Sequence, residues 1–121
     1  MNLQSQLLHL SIARSPVKDA SSTRIVALEG EIDLDTVAQL RKEFRSLQDD
    51  GISEMVLDIQ KVGYIDSIGL SALADASRKF RAAGGWLRLV STNQNLRRLL
   101  DITGLIRFLP LFADVESALA A

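Results

Sequence analysis

Residues 56–70 read VLDIQKVGYIDSIGL. The stretch opens on a short apolar run, Met55-Val56-Leu57-Asp58-Ile59, bounded by turn signals. Such a run predicts a strand buried on both faces, as in a parallel sheet. A loop is expected after Ile59, with Val62 and Ile65 tucking its apolar points inward. Asp66 and Ser67 then arrive at the start of a helix over residues 68–82. Leu70, Leu73, Ala74, Ser77 and Phe80 form its inner stripe, and Gly84-Gly85 ends it. A serine at the head of a helix can accept a backbone hydrogen bond as N-cap. The free N–H groups there also favour an added anion. Gly69 is expected to leave the backbone open on the first turn.

Outward from this stretch, strands and helices alternate. Leu8, Leu10 and Ile12 alternate with polar neighbours and predict a first strand. Residues 14–24, RSPVKDASSTR, are rich in Ser, carry Pro16 and predict an exposed turn. A second strand starts at Ile25, with Val26, Leu28, Gly30 and Ile32 on one face. Val37, Leu40, Phe44 and Leu47 space a helix over residues 36–48, with Thr36 and Gln39 as its capping box. Asp49-Asp50-Gly51 stop it. Downstream, Trp86 to Val90 predicts a strand, and Leu96, Leu99 and Leu100 a helix over 94–102 closed by Gly104. Ile106 to Leu109 is expected as a last short strand before Pro110, and Asp114 to Ala120 as a terminal helix capped by Asp114. This order predicts an α/β fold: a single mixed, mainly parallel sheet of four or five strands with about four helices. The first two strands adjoin without a helix between them, which predicts an antiparallel edge.

Composition narrows the function. The 121 residues suit a single domain over 1–121, large enough to bury a core. Hydrophobic residues make up 47% and charged residues 24%, an ordinary globular mix. The 14 basic and 15 acidic residues leave a net charge of −1, which argues against a nucleic-acid or anionic-membrane footprint. With no cysteine, disulfides, thiol catalysis and cysteine-bound zinc are excluded, and His9 alone cannot build a metal site. Residues 1–12 lack the basic front and long apolar stretch of a secretory signal, and no run of about 18 apolar residues exists. A cytoplasmic protein without membrane insertion is expected. A catalytic serine would need a base, yet there is no second histidine, no G-x-S-x-G elbow and no phosphate-binding G-x-x-x-x-G-K-[ST] loop. The chain therefore reads as a binding module, not an enzyme.

Several residues carry two readings. Ser67 on its own is an ordinary N-cap. Asp66 either holds the turn through its own backbone or shapes the surroundings of the neighbouring hydroxyl. Glu29, Glu31, Asp33 and Asp35 alternate and form either a Mg²⁺ or phosphoryl-transfer row or a solvated acidic edge before a helix start. The second is preferred, so neither a resident metal nor a cofactor is expected. Arg97 and Arg98 beside Asn93 and Asn95 read as a solvated helix face, Trp86 as a packed ring, and His9 as structural.

The run V-L-D-I-x-x-V-x-x-I-D-S-x-G-L at 56–70 resembles the signature of the STAS domain family. Leu28-Glu29-Gly30-Glu31-Ile32-Asp33 resembles its early strand motif, L-x-G-x-[LI]-D. Gly84-Gly85 with the strand after it, and residues 99–105 (LLDITGL), resemble later landmarks, so the likeness runs along nearly the whole chain in order. The resemblance implies a STAS fold and the role of an anti-sigma-factor antagonist in bacterial partner switching. It implies as partner an anti-sigma factor that is also a serine kinase of the histidine-kinase ATPase fold, with a serine phosphatase to restore the active form. It implies Ser67 as phosphoacceptor, with Asp33, Asp66, Ile68 and Gly69 as its surroundings and partner contacts, and Asp33 close to the hydroxyl. Ile68 stands where many members carry a second hydroxyl residue. The alternative within the family is a non-switching subunit or scaffold of a multi-protein complex, of stress-signalling or lipid-transport type.

Overall fold

The computed structural model describes residues 10–121; Leu8 and His9, assigned above to a first strand, lie outside them. Among the described residues, five strands form one sheet in the order β1-β2-β3-β4-β5. They are β1 (Leu10–Val17), β2 (Ala20–Ile32), β3 (Glu54–Ile65), β4 (Trp86–Val90) and β5 (Leu111–Phe112). β1 runs antiparallel to β2 at one edge, and the other pairs are parallel. Four α-helices, α1 (Val37–Asp49), α2 (Ser67–Ala82), α3 (Gln94–Thr103) and α4 (Val115–Ala120), complete the expected α/β fold. None of them is long and apolar enough to cross a membrane.

Parallel strands need covered faces, and both are covered over β3 and β4. On one side, Val26, Leu28 and Ile32 of β2, Leu57 of β3 and Leu89 of β4 pack under the three longer helices. Phe44 of α1 meets Phe80 of α2 edge to face at 6.4 Å. On the other side, Val56 and Val90 pack under Ala118 of α4. That double coverage is why Met55 to Ile59 is apolar without alternation. An ion pair also joins the helices: Arg41 of α1 reaches Asp75 of α2 at 3.2 Å, and Arg78 binds the same carboxylate. Desolvation works against the charged form of Asp75, but these hydrogen bonds outweigh it and hold the carboxyl below its ordinary range. Both partners are more than a third exposed, so the pair contributes little beside the aromatic contact.

Three expected elements fold differently. Residues 14–24 are not a loop: β1 runs on to Val17, β2 begins at Ala20, and only Lys18-Asp19 turns, with Asp19 left-handed at φ 60°. The polar composition there reflects an exposed edge, where Pro16 is tolerated. β3 does not end at Ile59 but continues to Ile65, still paired to β2. Register shifts between Ala27 and Glu29 and between Gly30 and Glu31 break the two-residue period that would have revealed it. Gly30 sits at φ 125°, a conformation that glycine alone adopts easily. Finally, Ile106 to Leu109 is no strand. A 3₁₀ turn over Leu105–Arg107 occupies it, because left-handed Gly104 starts a tight turn in which the Leu105 carbonyl accepts from both Phe108 and Leu109. The strand β5 follows Pro110 instead of preceding it. The capping box also fails to form. The Thr36 hydroxyl donates to the Glu31 carbonyl (2.9 Å), and the Gln39 amide donates to the Leu10 carbonyl (3.1 Å).

Gly85 sits where backbone meets backbone between α2 and β4. A Cβ there would lie 1.6 Å from the Ser53 carbonyl oxygen, which also accepts from the Trp86 N–H. Gly85→Ala is expected to destabilise the fold by at least about 1–3 kcal/mol. Urea unfolding should show a lower midpoint with an unchanged slope; an unchanged midpoint would show that this junction is not tight.

Candidate functional site

The stretch Ile65-Asp66-Ser67 lies at the C-terminal edge of the parallel strands, where β3 passes into α2. The end of β3 is pinned by its neighbour: Ile32 pairs with Ile65, and the Asp66 N–H donates to the Ile32 carbonyl at 3.1 Å. Asp66, not Ser67, is the N-cap. Its backbone is extended (φ −89°, ψ −179°), and its Oδ1 accepts from the Gly69 N–H at 2.7 Å. Its Oδ2 accepts from the Leu34 N–H at 3.1 Å, which ties the β2–α1 turn to the head of α2. Asp66 thus holds the turn with both carboxylate oxygens. An aspartate one position earlier captures the donor that Ser67 was expected to cap, and Ser67 becomes the first helical residue.

The consequence for Ser67 is geometric. Its side chain is exposed, and among the described residues its hydroxyl holds no hydrogen bond. The N–H groups of Ser67 and Ile68 likewise have no protein acceptor among the described residues, as befits the first turn of a helix. Gly69 does not leave the backbone open as expected. It is buried, and a Cβ would lie 2.4 Å from the Ile32 carbonyl oxygen and 2.7 Å from its Cγ2. Glycine here lets α2 seat directly on the end of β2. Ile68 turns outward.

Asp33 lies in the same corner, next to Leu34. Its Oδ1 accepts from the N–H groups of Asp35 (2.9 Å) and Thr36 (3.2 Å), an aspartate turn that launches α1. The row of Glu29, Glu31, Asp33 and Asp35 is not continuous: the register shift beside Glu31 interrupts it, and Asp33 lies past the end of β2. Among the described residues, no three acidic or histidine side chains gather at metal-holding distance. Asn93, read as part of a polar patch, is the N-cap of α3 through Asn95 and Leu96 (2.9 and 3.1 Å). Trp86 packs, with the Arg88 guanidinium 3.7 Å from its ring centroid. Leu99, assigned to the inner stripe of its helix, is exposed, because Leu96 and Leu100 alone define the buried line of α3.

Two grooves lie near this corner, and the second of them reaches Ser67. One, of about 180 Å³, lies between the end of β3 and α3 and is lined by Tyr64, Ile65, Asn95 and Leu99. The other, of about 350 Å³, runs down α2 past Ser67, Ser71 and Arg78 and is walled by Leu105. Tyr64 carries no sequence signal beyond being a large side chain outside any inward stripe, and Leu105 only its place at the end of the stretch 99–105.

Fold and corner together define a small α/β module that holds a free hydroxyl at the head of a helix. The chain belongs to the STAS domain family, whose sequence pattern matches residues 15–118. It is similar to the anti-sigma F factor antagonist of Paenibacillus polymyxa, 27% identical over 120 residues that cover 98% of this chain and 94% of that one. It is also similar to the anti-sigma-B factor antagonist of Bacillus subtilis, 31% identical over 100 residues that cover 83% and 91%. Among solved structures, the crystal structure of an anti-sigma factor antagonist from Mycobacterium paratuberculosis matches with a TM-score of 0.79 at 25% identity, over 92% of each chain.

Asp66→Ala removes the cap and the tie to Leu34 together. The expected loss is about 0.5–2 kcal/mol for the cap, with faster amide exchange at Leu34 and Gly69. Asp66→Asn keeps an acceptor for Gly69 and should lose less. Equal stability of wild type and Asp66→Ala would remove Asp66 from its structural role.

Proposed function

We propose that the chain is an anti-sigma-factor antagonist: a single STAS domain that acts in the cytoplasm by binding an anti-sigma factor, not by catalysis. Its binding is switched by reversible phosphorylation of Ser67. The partner is an anti-sigma factor that is also a serine kinase of the histidine-kinase ATPase fold, and a serine phosphatase reverses the modification. The relatives named as antagonists of anti-sigma factors support the partner class. The observation that carries the switch is the division of labour between Asp66 and Ser67. Asp66 makes the capping bonds, so a group added to Ser67 costs the fold no hydrogen bond.

The mechanism is electrostatic. A phosphate adds about −1.5 to −2 charges at pH 7 and three strong acceptor oxygens. On Ser67 it meets the unpartnered N–H of Ile68 and the positive end of α2, which the folded chain tolerates. A docked partner meets the same charge beside the carboxylates of Asp66 and Asp33, and must desolvate it. One observation favours a second reading: Ile68 in place of a hydroxyl fits a fixed STAS subunit that does not switch.

Titration of the purified anti-sigma factor with wild type, Ser67→Ala, Ser67→Asp and the phosphoserine form separates the two. Ser67→Ala should bind like wild type, and Ser67→Asp at least about tenfold more weakly, or about 1.4 kcal/mol. Mass spectrometry after incubation with the partner and ATP should find one phosphate, on Ser67. Equal affinities for all four forms would leave the fixed subunit as the correct description.

Asp33→Asn tests the neighbouring acid. Asparagine keeps an oxygen for the Asp35 and Thr36 N–H groups, so the fold should persist. Phosphorylation should slow if the negative charge positions the hydroxyl or the partner's nucleotide. An unchanged rate would confine Asp33 to the turn.

A further inference from the structure

The two longest helices, α1 and α2, face each other across a groove of about 110 Å³. From α1 it takes Arg41, Phe44, Arg45 and Gln48, and from α2 Ala72, Ala76 and Lys79. These positions recur at three- and four-residue intervals, so each set is one face of its helix. Phe44, Ala72 and Ala76 are buried and make a hydrocarbon floor. Arg45 and Lys79 are exposed on the two walls. The lining holds three cations and no carboxylate.

The acids nearby are already engaged. Asp75 is shared by Arg41 and Arg78, and Glu43 of α1 binds Arg14. Arg45 and Lys79 form no ion pair among the described residues, and Asp49, four residues on from Arg45, does not pair with it. Local helix electrostatics does not account for these charges either. A helix favours cations in its last turn, where α1 has none. Arg41, Lys42 and Arg45 stand in its middle instead, and Arg41 and Arg45 keep the four-residue spacing at which like charges weaken a helix. The chain as a whole carries a net charge of −1, so the groove is a local cationic field and not a share of a general positive charge. A cleft lined by one sign of charge over a floor of low dielectric concentrates that field.

We propose that the groove between α1 and α2 is a second binding surface, separate from the corner at Ser67, and that it takes an acidic peptide segment of a protein partner. Carboxylates of the segment meet Arg45 and Lys79, and a small apolar side chain between them covers Phe44, Ala72 and Ala76. The length fits: Arg41 to Gln48 spans about 10 Å of helix, the reach of about three residues of extended chain. Nucleic acid or an anionic membrane calls for a basic face wider than one groove, and the balanced charge of the chain argues against it. The α2 lining begins at Ala72, beyond the first turn, while Ser67 and Ser71 line a different groove. Occupancy here is therefore independent of the state of Ser67, and the inference does not rest on the switch proposed above.

The test is an NMR titration of the isotope-labelled chain with a short peptide of sequence EELEE, with KKLKK as control. Amide shifts should move along residues 41–48 and 72–79 with EELEE alone, and added salt should weaken binding. Arg45→Glu combined with Lys79→Glu should weaken it by about tenfold or more, and the neutral pair Arg45→Gln with Lys79→Gln by less. Circular dichroism should show both double variants folded, since these side chains are exposed. Arg97→Glu on α3 and Ser67→Asp should bind the peptide like wild type. No movement along the groove, or movement that survives the double reversal, would overturn the proposal. Phosphatidylglycerol vesicles that bind wild type and not the double reversal, with the peptide unbound, would assign the groove to a membrane surface and overturn it as well.

Discussion

Asp66 spends every polar group it has on one corner of the molecule. Its N–H donates to the Ile32 carbonyl, its own carbonyl accepts from Leu70, and its two carboxylate oxygens accept from Gly69 and Leu34. These bonds join the end of β2, the turn into α1 and the head of α2. Each such bond contributes about 0.5–1.5 kcal/mol, and because all of them meet in one residue the corner is held as a unit. Gly69 closes it from the other side, since any side chain there would strike Ile32. The placement of Ser67 follows from both constraints: the cap lies before it and the tight contact after it, and its own hydroxyl is left to solvent.

How much of this is legible in the sequence depends on the length scale of the signal. Met55 to Ile59 and Trp86 to Val90 announce themselves as short apolar runs between turn signals, and the stripe Leu70, Leu73, Ala74, Ser77, Phe80 by the helical period that burial imposes. The terminal helix and its Asp114 cap are legible for a local reason, the Asp114 carboxylate accepting from the Ser117 N–H three residues on. Long-range pairing is not legible. The second half of β3 reads as a loop because two register shifts against β2 interrupt its alternation, and only β2 shows that it is paired. The capping box is lost for the same reason: the partners of Thr36 and Gln39, the carbonyls of Glu31 and Leu10, come from outside the helix. At the site, the motif points to Asp66 and Ser67 together. Which of the two caps the helix is not legible there, because the tie between Asp66 and Leu34 spans 32 residues.

The energetics of the fold and the chemistry of its surface are largely separate. Stability rests on the apolar layers on either side of β3 and on two glycine contacts, at Gly69 and Gly85. Ion pairs contribute little, since Arg14, Arg41 and Arg78 meet their partners with substantial exposure. The acids near the head of α2 are used instead as hydrogen-bond acceptors for backbone N–H groups, which helix starts and turns need wherever they occur. The side-chain oxygens at this end of the molecule are therefore built into the local backbone, and removing them, as opposed to neutralising them, unfastens it.

That arrangement determines what a modification at Ser67 can do under the proposed function. A ligand or covalent group shifts an equilibrium only by its differential free energy between two states. In the free chain, a phosphate gains the helix end and the Ile68 N–H and remains hydrated on its other oxygens, so folded and unfolded forms differ by about 0.3–1 kcal/mol. In the docked state the same group loses its hydration against the partner, beside a carboxylate that is bonded twice to the backbone. The penalty falls almost wholly on the complex. A serine that capped its own helix would couple these effects, because modifying it would replace the oxygen that caps the helix. With the cap assigned to Asp66, binding can be switched while the fold is left intact.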